Sequence, residues 1–169
     1  MRNPCTRSRI LITDVLINLL KRTEEDYLLI ILNRLSLEYN AVLIPGKVKK
    51  EFINLKLGRE SYKHRRLLLT LYEYMPERFM DCPINNSRPQ LYQSMEHSKR
   101  TGCLIQSGEA DAILQGNKCS EIEAPLEVYI LTGDKCAIQF IRSNSNLKVK
   151  PLNYREWKKQ FLEEGIILP

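Results

Sequence analysis

The chain has 169 residues, with 26 Lys and Arg against 20 Asp and Glu, so its net charge is +6 and its pI is about 9.1. A hydrophobic content of 43% with 27% charged residues excludes an intrinsically disordered chain. The longest nearly apolar runs, at 27–32 and 41–45, are much shorter than the roughly 18–20 residues of a membrane helix, so we expect no membrane partner. The length favours a single domain over residues 1–169.

The first half of the chain is predicted to contain a strand at 9–13, helices at 14–21 and 23–37, a strand at 41–44, a helix opened by Pro45 and a helix at 60–74. The second half is predicted to contain a short edge strand at 79–80, a helix at 107–115, a strand at 127–131, a helix at 135–141, a strand at 147–150 and a last helix at 154–164. Strands that alternate with helices predict an α/β fold with a mostly parallel sheet. In the last helix, Asn153 is the predicted N-cap, Gly165 the predicted end, and Trp157 with Phe161 the packing face.

The cysteines suggest free thiols rather than a disulfide framework or a zinc site. They are Cys5, Cys82, Cys103, Cys119 and Cys136, an odd number with no CxxC pair. A chain of this length does not need disulfides for stability. We therefore expect reduced thiols and a cytoplasmic protein.

Acidic side chains follow the predicted strands or open the next helices. They are Asp14, Glu51, Glu109, Asp111 and Asp134. Ligands gather at the carboxyl ends of parallel strands, and clustered carboxylates repel one another unless a cation lies between them. Mg²⁺ and Mn²⁺ prefer such oxygen ligands, so the pattern predicts a divalent metal site. The alternative for each acid is a helix N-terminal residue that satisfies the helix dipole.

The order of these motifs resembles the PIN domain family over about residues 9–150. The matching segments are 10–20, 44–52, 107–114 and 128–135, of which SGEADAI and LTGDK are the most specific. The resemblance implies one three-layer domain with a central sheet flanked by helices, and a Mg²⁺- or Mn²⁺-dependent ribonuclease. Many small members look like VapC-type toxins held by an antitoxin. The expected partners are therefore RNA, single-stranded or structured, a small antitoxin protein and, for a homodimer, a second copy of the chain.

The resemblance assigns roles to individual residues. Asp14, Glu51, Asp111 and Asp134 would be catalytic and would bind metal. Glu109 would be a further ligand or a salt-bridge partner. Thr13 and Thr132 would support the site, with the Thr132 hydroxyl orienting a water molecule.

One position departs from the family pattern, which usually begins Asp-Thr-Asn-Val-Leu. Residues 12–16 read Ile-Thr-Asp-Val-Leu, so Ile12 stands in place of the first acid and Asp14 in place of Asn. Two residues along a strand end move a carboxylate by roughly 6–7 Å. Either Asp14 replaces the missing ligand through a local backbone change, or the metal site is weakened.

Basic residues surround the acidic segments and are candidates for phosphate contacts. The predicted nucleic-acid-binding residues are Lys47, Lys49, Lys50, Arg59, Lys63, Arg65 and Arg66. The alternative is a solvated helix face. Two function classes remain open: a metal-dependent ribonuclease, or a PIN-like module without catalysis that serves in binding or assembly. A DNA-directed nuclease is a third, weaker interpretation.

Overall fold

The computed structural model describes residues 7–13, 15, 25–48, 50, 62–63, 66, 69–70, 73, 79–82, 102–122 and 126–167. Its strands are β1 (Arg7–Ile12), β2 (Ala41–Pro45), β3 (Phe79–Cys82), β4 (Leu126–Thr132) and β5 (Val149–Asn153). They form one sheet in the order β3-β2-β1-β4-β5, and every neighbouring pair is parallel. The predicted α/β fold is confirmed, with β1 in the middle of the sheet.

The centre of the sheet is buried on both faces, which explains why β2 and the second halves of β1 and β4 are nearly continuous apolar runs. Side chains alternate between the faces, so that Ile10 and Ile12 of β1 belong to one apolar cluster and Leu11 to the other. The same alternation separates Val42 from Leu43 in β2.

Helices cover the two faces and complete a three-layer arrangement. The completely described helices are α1 (Glu25–Glu38), α2 (Ser107–Ile122), α3 (Lys135–Ser143), α4 (Tyr154–Trp157) and α5 (Lys159–Glu163). Apolar side chains of α1, α4 and α5 pack on the face of Ile10, and those of α2 and α3 pack on the face of Leu11. Residues 46–48 and 50 are also helical. No helix within the described ranges is long and apolar enough to cross a bilayer.

Several element boundaries differ from the sequence prediction. Pro45 is the last residue of β2 and not the first of a helix. Helix α2 continues beyond the predicted end at 115 because Gly116 serves close packing and not termination. A Cβ atom there would lie 3.0 Å from Val149 Cγ1 and 3.1 Å from Val128 Cγ1. The last strand is shifted to Val149–Asn153, and the last helix is divided at Lys158.

The end of the chain follows the prediction in its capping and packing. The Asn153 side chain accepts a hydrogen bond from Arg155 N at 2.9 Å and caps α4. Gly165 has a φ of 78°, and the N–H groups of Gly165 and Ile166 bond back to Leu162 and Phe161. This is a Schellman arrangement, in which a left-handed residue ends a helix. Trp157 and Phe161 are both buried, as predicted.

The predicted free thiols are wrong at two positions, because Cys103 and Cys136 form a disulfide. The two residues are separated by 33 in sequence, yet their Cα atoms lie 5.4 Å apart. Chain length and Cys spacing carry no signal for this pairing, which depends on the packing of α2 against α3. Cys119 is a free thiol, as predicted. Cys5 and the Cys82 side chain lie outside the described part.

Candidate active site

The carboxyl end of β1 is joined to the end of β4 by Thr13. The Thr13 N–H and its hydroxyl both donate to the Leu131 carbonyl oxygen, at 3.3 Å and 3.0 Å. Thr13 is completely buried, so this polar pairing satisfies groups that would otherwise be costly to bury. The contact fixes the backbone just before Asp14, which itself lies outside the described residues.

The end of β4 turns into α3 through two side-chain caps. The buried hydroxyl oxygen of Thr132 accepts the Asp134 N–H at 3.0 Å. Asp134 Oδ1 in turn accepts from the N–H groups of Cys136 and Ala137, at 2.7 Å and 3.2 Å. Asp134 is therefore the N-cap of α3, which is the alternative role that the sequence left open. The bonds orient its carboxylate at the carboxyl edge of the sheet.

The first turns of α2 carry the two most deeply buried acids among the residues whose side chains the structure describes. Glu109 and Asp111 are each only 2% exposed. Asp111 Oδ2 accepts a hydrogen bond from the backbone N–H of Lys47 at 3.2 Å. Gly108 allows this close approach, since a Cβ atom there would lie 3.0 Å from Val48 Cγ2. The start of α2 is thereby pinned to the segment that follows β2.

The predicted site residues thus come from both sides of the end of β1. Asp111 lies beside the segment after β2, and Asp134 follows β4, the other neighbour of β1 in the sheet. Ile12 ends β1 itself, is 1% exposed, and belongs to the apolar cluster that contains Val15 and Leu131. Glu51, like Asp14, lies outside the described residues.

Two buried carboxylates dominate the chemistry of this edge. Burial of Glu109 and Asp111 removes two carboxylates from water, which is costly without compensating charge or hydrogen bonds. The positive end of α2 favours Glu109 in its first turn. Carboxylate oxygens are the donors that Mg²⁺ and Mn²⁺ prefer, so the donor chemistry of these two residues fits such an ion.

A complete metal cage is not formed by the described residues alone. Among them, no group of three or more His, Cys, Asp or Glu side chains is placed to hold a metal ion. The remaining predicted ligands are Asp14 and Glu51. A site for Mg²⁺ or Mn²⁺ would combine these two residues with ligands drawn from the described acids Glu109, Asp111 and Asp134.

The predicted nucleic-acid-binding residues are described in part. Lys50, Lys63 and Arg66 are exposed, and Lys47 is half-buried. Lys49, Arg59 and Arg65 lie outside the described residues. The backbone contact of Lys47 with Asp111 was missed by sequence reasoning, because a main-chain donor leaves no mark in the residue type.

The fold of this chain is similar to that of a protein of known structure. The fold is similar to that of a chain in the crystal structure of VapBC2 from Rickettsia felis bound to a DNA fragment from their promoter. The TM-score is 0.54 at 13% sequence identity, and the match covers 86% of this chain and 99% of that chain. No family model and no curated protein matches the sequence. The fold is therefore PIN-like, in agreement with the resemblance in the sequence.

Proposed function

We propose that this chain is a metal-dependent ribonuclease of PIN type and the toxin of a toxin–antitoxin pair. The observation that carries the proposal is the burial of two carboxylates, Glu109 and Asp111, at the carboxyl edge of a parallel sheet. Ligands and substrates of such sheets bind at that edge. A surplus of basic residues elsewhere on the chain complements an anionic substrate.

The acids of the edge would hold Mg²⁺ or Mn²⁺ between them. The proposed site combines Asp14 and Glu51, from outside the described residues, with ligands drawn from Glu109, Asp111 and Asp134, since these three described acids form no cage by themselves. When bound, such an ion would supply the positive charge that acidifies a water molecule and stabilises the charge developing on a phosphodiester.

The chain's own contribution is to place those oxygens in advance. The Lys47 N–H holds Asp111, and the Cys136 and Ala137 N–H groups hold Asp134. The buried Thr132 hydroxyl accepts from the Asp134 N–H and holds the turn that carries Asp134. Catalysis by such a site needs no nucleophilic side chain from the protein.

Exposed basic residues from the segments that follow β2 would bind the RNA backbone. Lys50, Lys63 and Arg66 are exposed on the helical segments that follow β2. Phosphate contacts from such side chains are independent of sequence and weaken as salt is added. We further propose that this reaction takes place in the cytoplasm.

An antitoxin partner is supported by the fold. The similar solved structure is a VapBC2 complex bound to promoter DNA. We propose that a small protein, encoded next to this chain, binds it and blocks cleavage. Co-expression of a neighbouring small reading frame should yield a complex that copurifies and lacks RNA cleavage; a complex that cleaves at the rate of the isolated chain would contradict this part of the proposal.

The nuclease proposal is tested with purified protein and single-stranded RNA. We expect cleavage with Mn²⁺ or Mg²⁺, none after chelation, and a loss of at least about 100-fold in Asp111→Asn, which is typical for removal of an electrostatic catalytic group. Glu163→Gln, an exposed acid of α5, is the matched control and should cleave like the parent. Absence of cleavage with both ions, or equal cleavage by Asp111→Asn, would contradict the proposal.

A second candidate is a PIN-like module that binds or assembles without catalysis. The observation that favours it is Ile12, which is buried among apolar side chains where the family usually has its first acid. This candidate predicts RNA binding that depends on salt and not on a divalent ion. It also predicts that Asp111→Asn and Asp134→Asn bind RNA as the parent does. Divalent-dependent cleavage in the parent would exclude it.

A further inference from the structure

The Cys103–Cys136 disulfide connects the two segments that carry the described acids of the candidate site. Cys103 follows the turn at Gly102, where φ is 92°, and precedes the start of α2. Cys136 lies in the first turn of α3. Their Cα atoms are 5.4 Å apart, so the bond ties the entry of α2 to the start of α3.

Each end of the bond lies close in sequence to a proposed metal ligand. On the α3 side, Asp134 Oδ1 accepts the N–H of Cys136 itself at 2.7 Å. On the α2 side, the chain continues from Cys103 into the first turns, which carry Glu109 and Asp111. A covalent tie between these segments restricts how far Asp111 and Asp134 can move relative to each other.

The bond lies in a segment close to the protein surface. Cys103 and Cys136 are half-buried, whereas Gly102, Leu104 and Lys135 beside them are exposed. Thiol–disulfide exchange requires that a thiolate approach one of the sulfur atoms, and exposed flanking residues permit that approach.

We propose that the Cys103–Cys136 pair is a redox switch that sets the placement of the acid-bearing segments. In the disulfide form, the entry of α2 and the start of α3 are held together and the acids are pre-organised for metal. In the dithiol form this tie is absent and both segments loosen. The effect on RNA cleavage rests on the proposed function, whereas the loosening of the two segments does not.

The exchange step balances with a low-molecular-weight thiol as the reductant. Its thiolate attacks one sulfur of the pair, the S–S bond breaks, and a mixed disulfide forms while the other cysteine leaves as a thiolate and takes a proton. A second thiolate attacks the mixed disulfide and releases the remaining cysteine, which is also protonated. Two electrons pass to the pair, and the reductant becomes its own disulfide.

The first test measures the bond and the conformation of the whole chain. Peptide mapping after alkylation should give a linked Cys103–Cys136 peptide that disappears with dithiothreitol. Hydrogen–deuterium exchange should then rise at least about threefold at residues 107–111 and 134–137, and stay unchanged in α1. Alkylation of both cysteines without reductant, or exchange unaffected by reductant, would overturn the switch.

Matched cysteine variants separate the switch from other effects of reduction. Cys103→Ser and Cys136→Ser should show the hydrogen–deuterium exchange of the reduced parent, and dithiothreitol should not change it. Cys119→Ser, which removes a free thiol on α2, should respond as the parent does. A response of Cys103→Ser equal to that of the parent would overturn the assignment.

RNA cleavage with Mn²⁺ distinguishes failure of the switch from failure of the proposed function. Reduction should lower the rate several-fold in the parent and in Cys119→Ser, with no change in Cys103→Ser. If no form cleaves RNA while the exchange difference is present, the nuclease proposal fails and the switch is supported. If the parent cleaves equally in both redox states and its exchange is also unchanged, the switch fails and the nuclease stands.

Discussion

The backbone N–H of Lys47 donates a hydrogen bond to Oδ2 of Asp111 across 3.2 Å. The contact joins the segment after β2 to the first turns of α2, which are far apart in sequence. Because the donor belongs to the main chain, the bond survives any substitution of the Lys47 side chain other than proline. The carboxylate of Asp111, which lies in the motif SGEADAI, is thus held by the backbone of a neighbouring element.

Two substitutions of Asp111 should distinguish the stability that its hydrogen bond contributes from the effect of its charge. Asp111→Ala leaves the half-buried Lys47 N–H without this acceptor and should lower the free energy of unfolding by about 1–3 kcal/mol. Asp111→Asn keeps an acceptor oxygen and should lose less. Urea denaturation of the metal-free protein measures both. Lys47→Ala is the control, and equal losses in Asp111→Ala and Asp111→Asn would contradict a structural role for the bond.

Two substitutions of Asp134 should likewise distinguish its role as the N-cap of α3 from a role of its carboxylate in RNA cleavage. Asp134→Ala removes the acceptor of two backbone N–H groups and should cost about 0.5–2 kcal/mol of stability. Asp134→Asn retains the cap and should unfold close to the parent. If Asp134→Asn is stable and fails to cleave RNA, its carboxylate acts beyond capping. If it cleaves RNA like the parent, Asp134 is a structural cap alone.

Much of this fold could be predicted from local sequence patterns. Strands β1, β2 and β4 contain short apolar runs followed by helix-starting residues, and such runs are typical of buried parallel strands. Gly116 shows the limit of the approach, since a glycine inside a helix can either end it or permit close packing. Only the neighbouring Val128 and Val149 decide between the two.

The candidate site could be predicted as a list of acids and not as an arrangement. Asp134 and Asp111 are recognisable by motif, but both accept hydrogen bonds from backbone N–H groups, and main-chain groups are the same at every residue. The Cys103–Cys136 pairing likewise depends on tertiary packing, which neither the number nor the spacing of cysteines reveals.

Ile12→Asp tests whether the edge accepts the acid that the family pattern expects. Ile12 is 1% exposed in an apolar cluster. Without metal, the free energy of unfolding of the variant should therefore fall by at least about 3 kcal/mol, since removing a buried Ile side chain alone costs about 2–5 kcal/mol. A bound cation would compensate the new charge. Thermal unfolding should therefore show a larger Mn²⁺-induced rise in Tm for Ile12→Asp than for the parent or Ile12→Asn. No Mn²⁺ effect on its Tm would place this side chain away from any cation site.

The disulfide should contribute to stability as well as to the switch. Closing a loop between residues separated by 33 in sequence stabilises a fold by at most about 4 kcal/mol in the chain-entropy estimate. Cys103→Ser should therefore unfold at lower urea concentration than Cys119→Ser under oxidising conditions. Dithiothreitol should bring Cys119→Ser close to the midpoint of Cys103→Ser. A midpoint of Cys119→Ser that is indifferent to reductant would show that the bond does not constrain the unfolded chain.

Alkaline pH should destabilise the protein partly through Tyr154. Burial raises the pKa of the Tyr154 phenol above its usual value of 10.0, so the folded state holds this proton more tightly than the unfolded state does. The stabilising contribution is complete below pH 10 and is lost as pH rises through the raised pKa. Lys150 acts in the same direction, because its hydrogen bond with Glu127 raises its pKa above 10.5.

Tyr154→Phe should accordingly lose less stability between pH 9 and 11 than the parent, whatever its stability at pH 7, since it has no phenol proton to release. The measurement is the urea midpoint as a function of pH. Tyr62→Phe is the matched control, because the Tyr62 side chain is 65% exposed and its removal should leave the slope of the parent. If the urea midpoint of Tyr154→Phe falls with pH as steeply as that of Tyr62→Phe, burial of the Tyr154 phenol does not contribute to the alkaline transition.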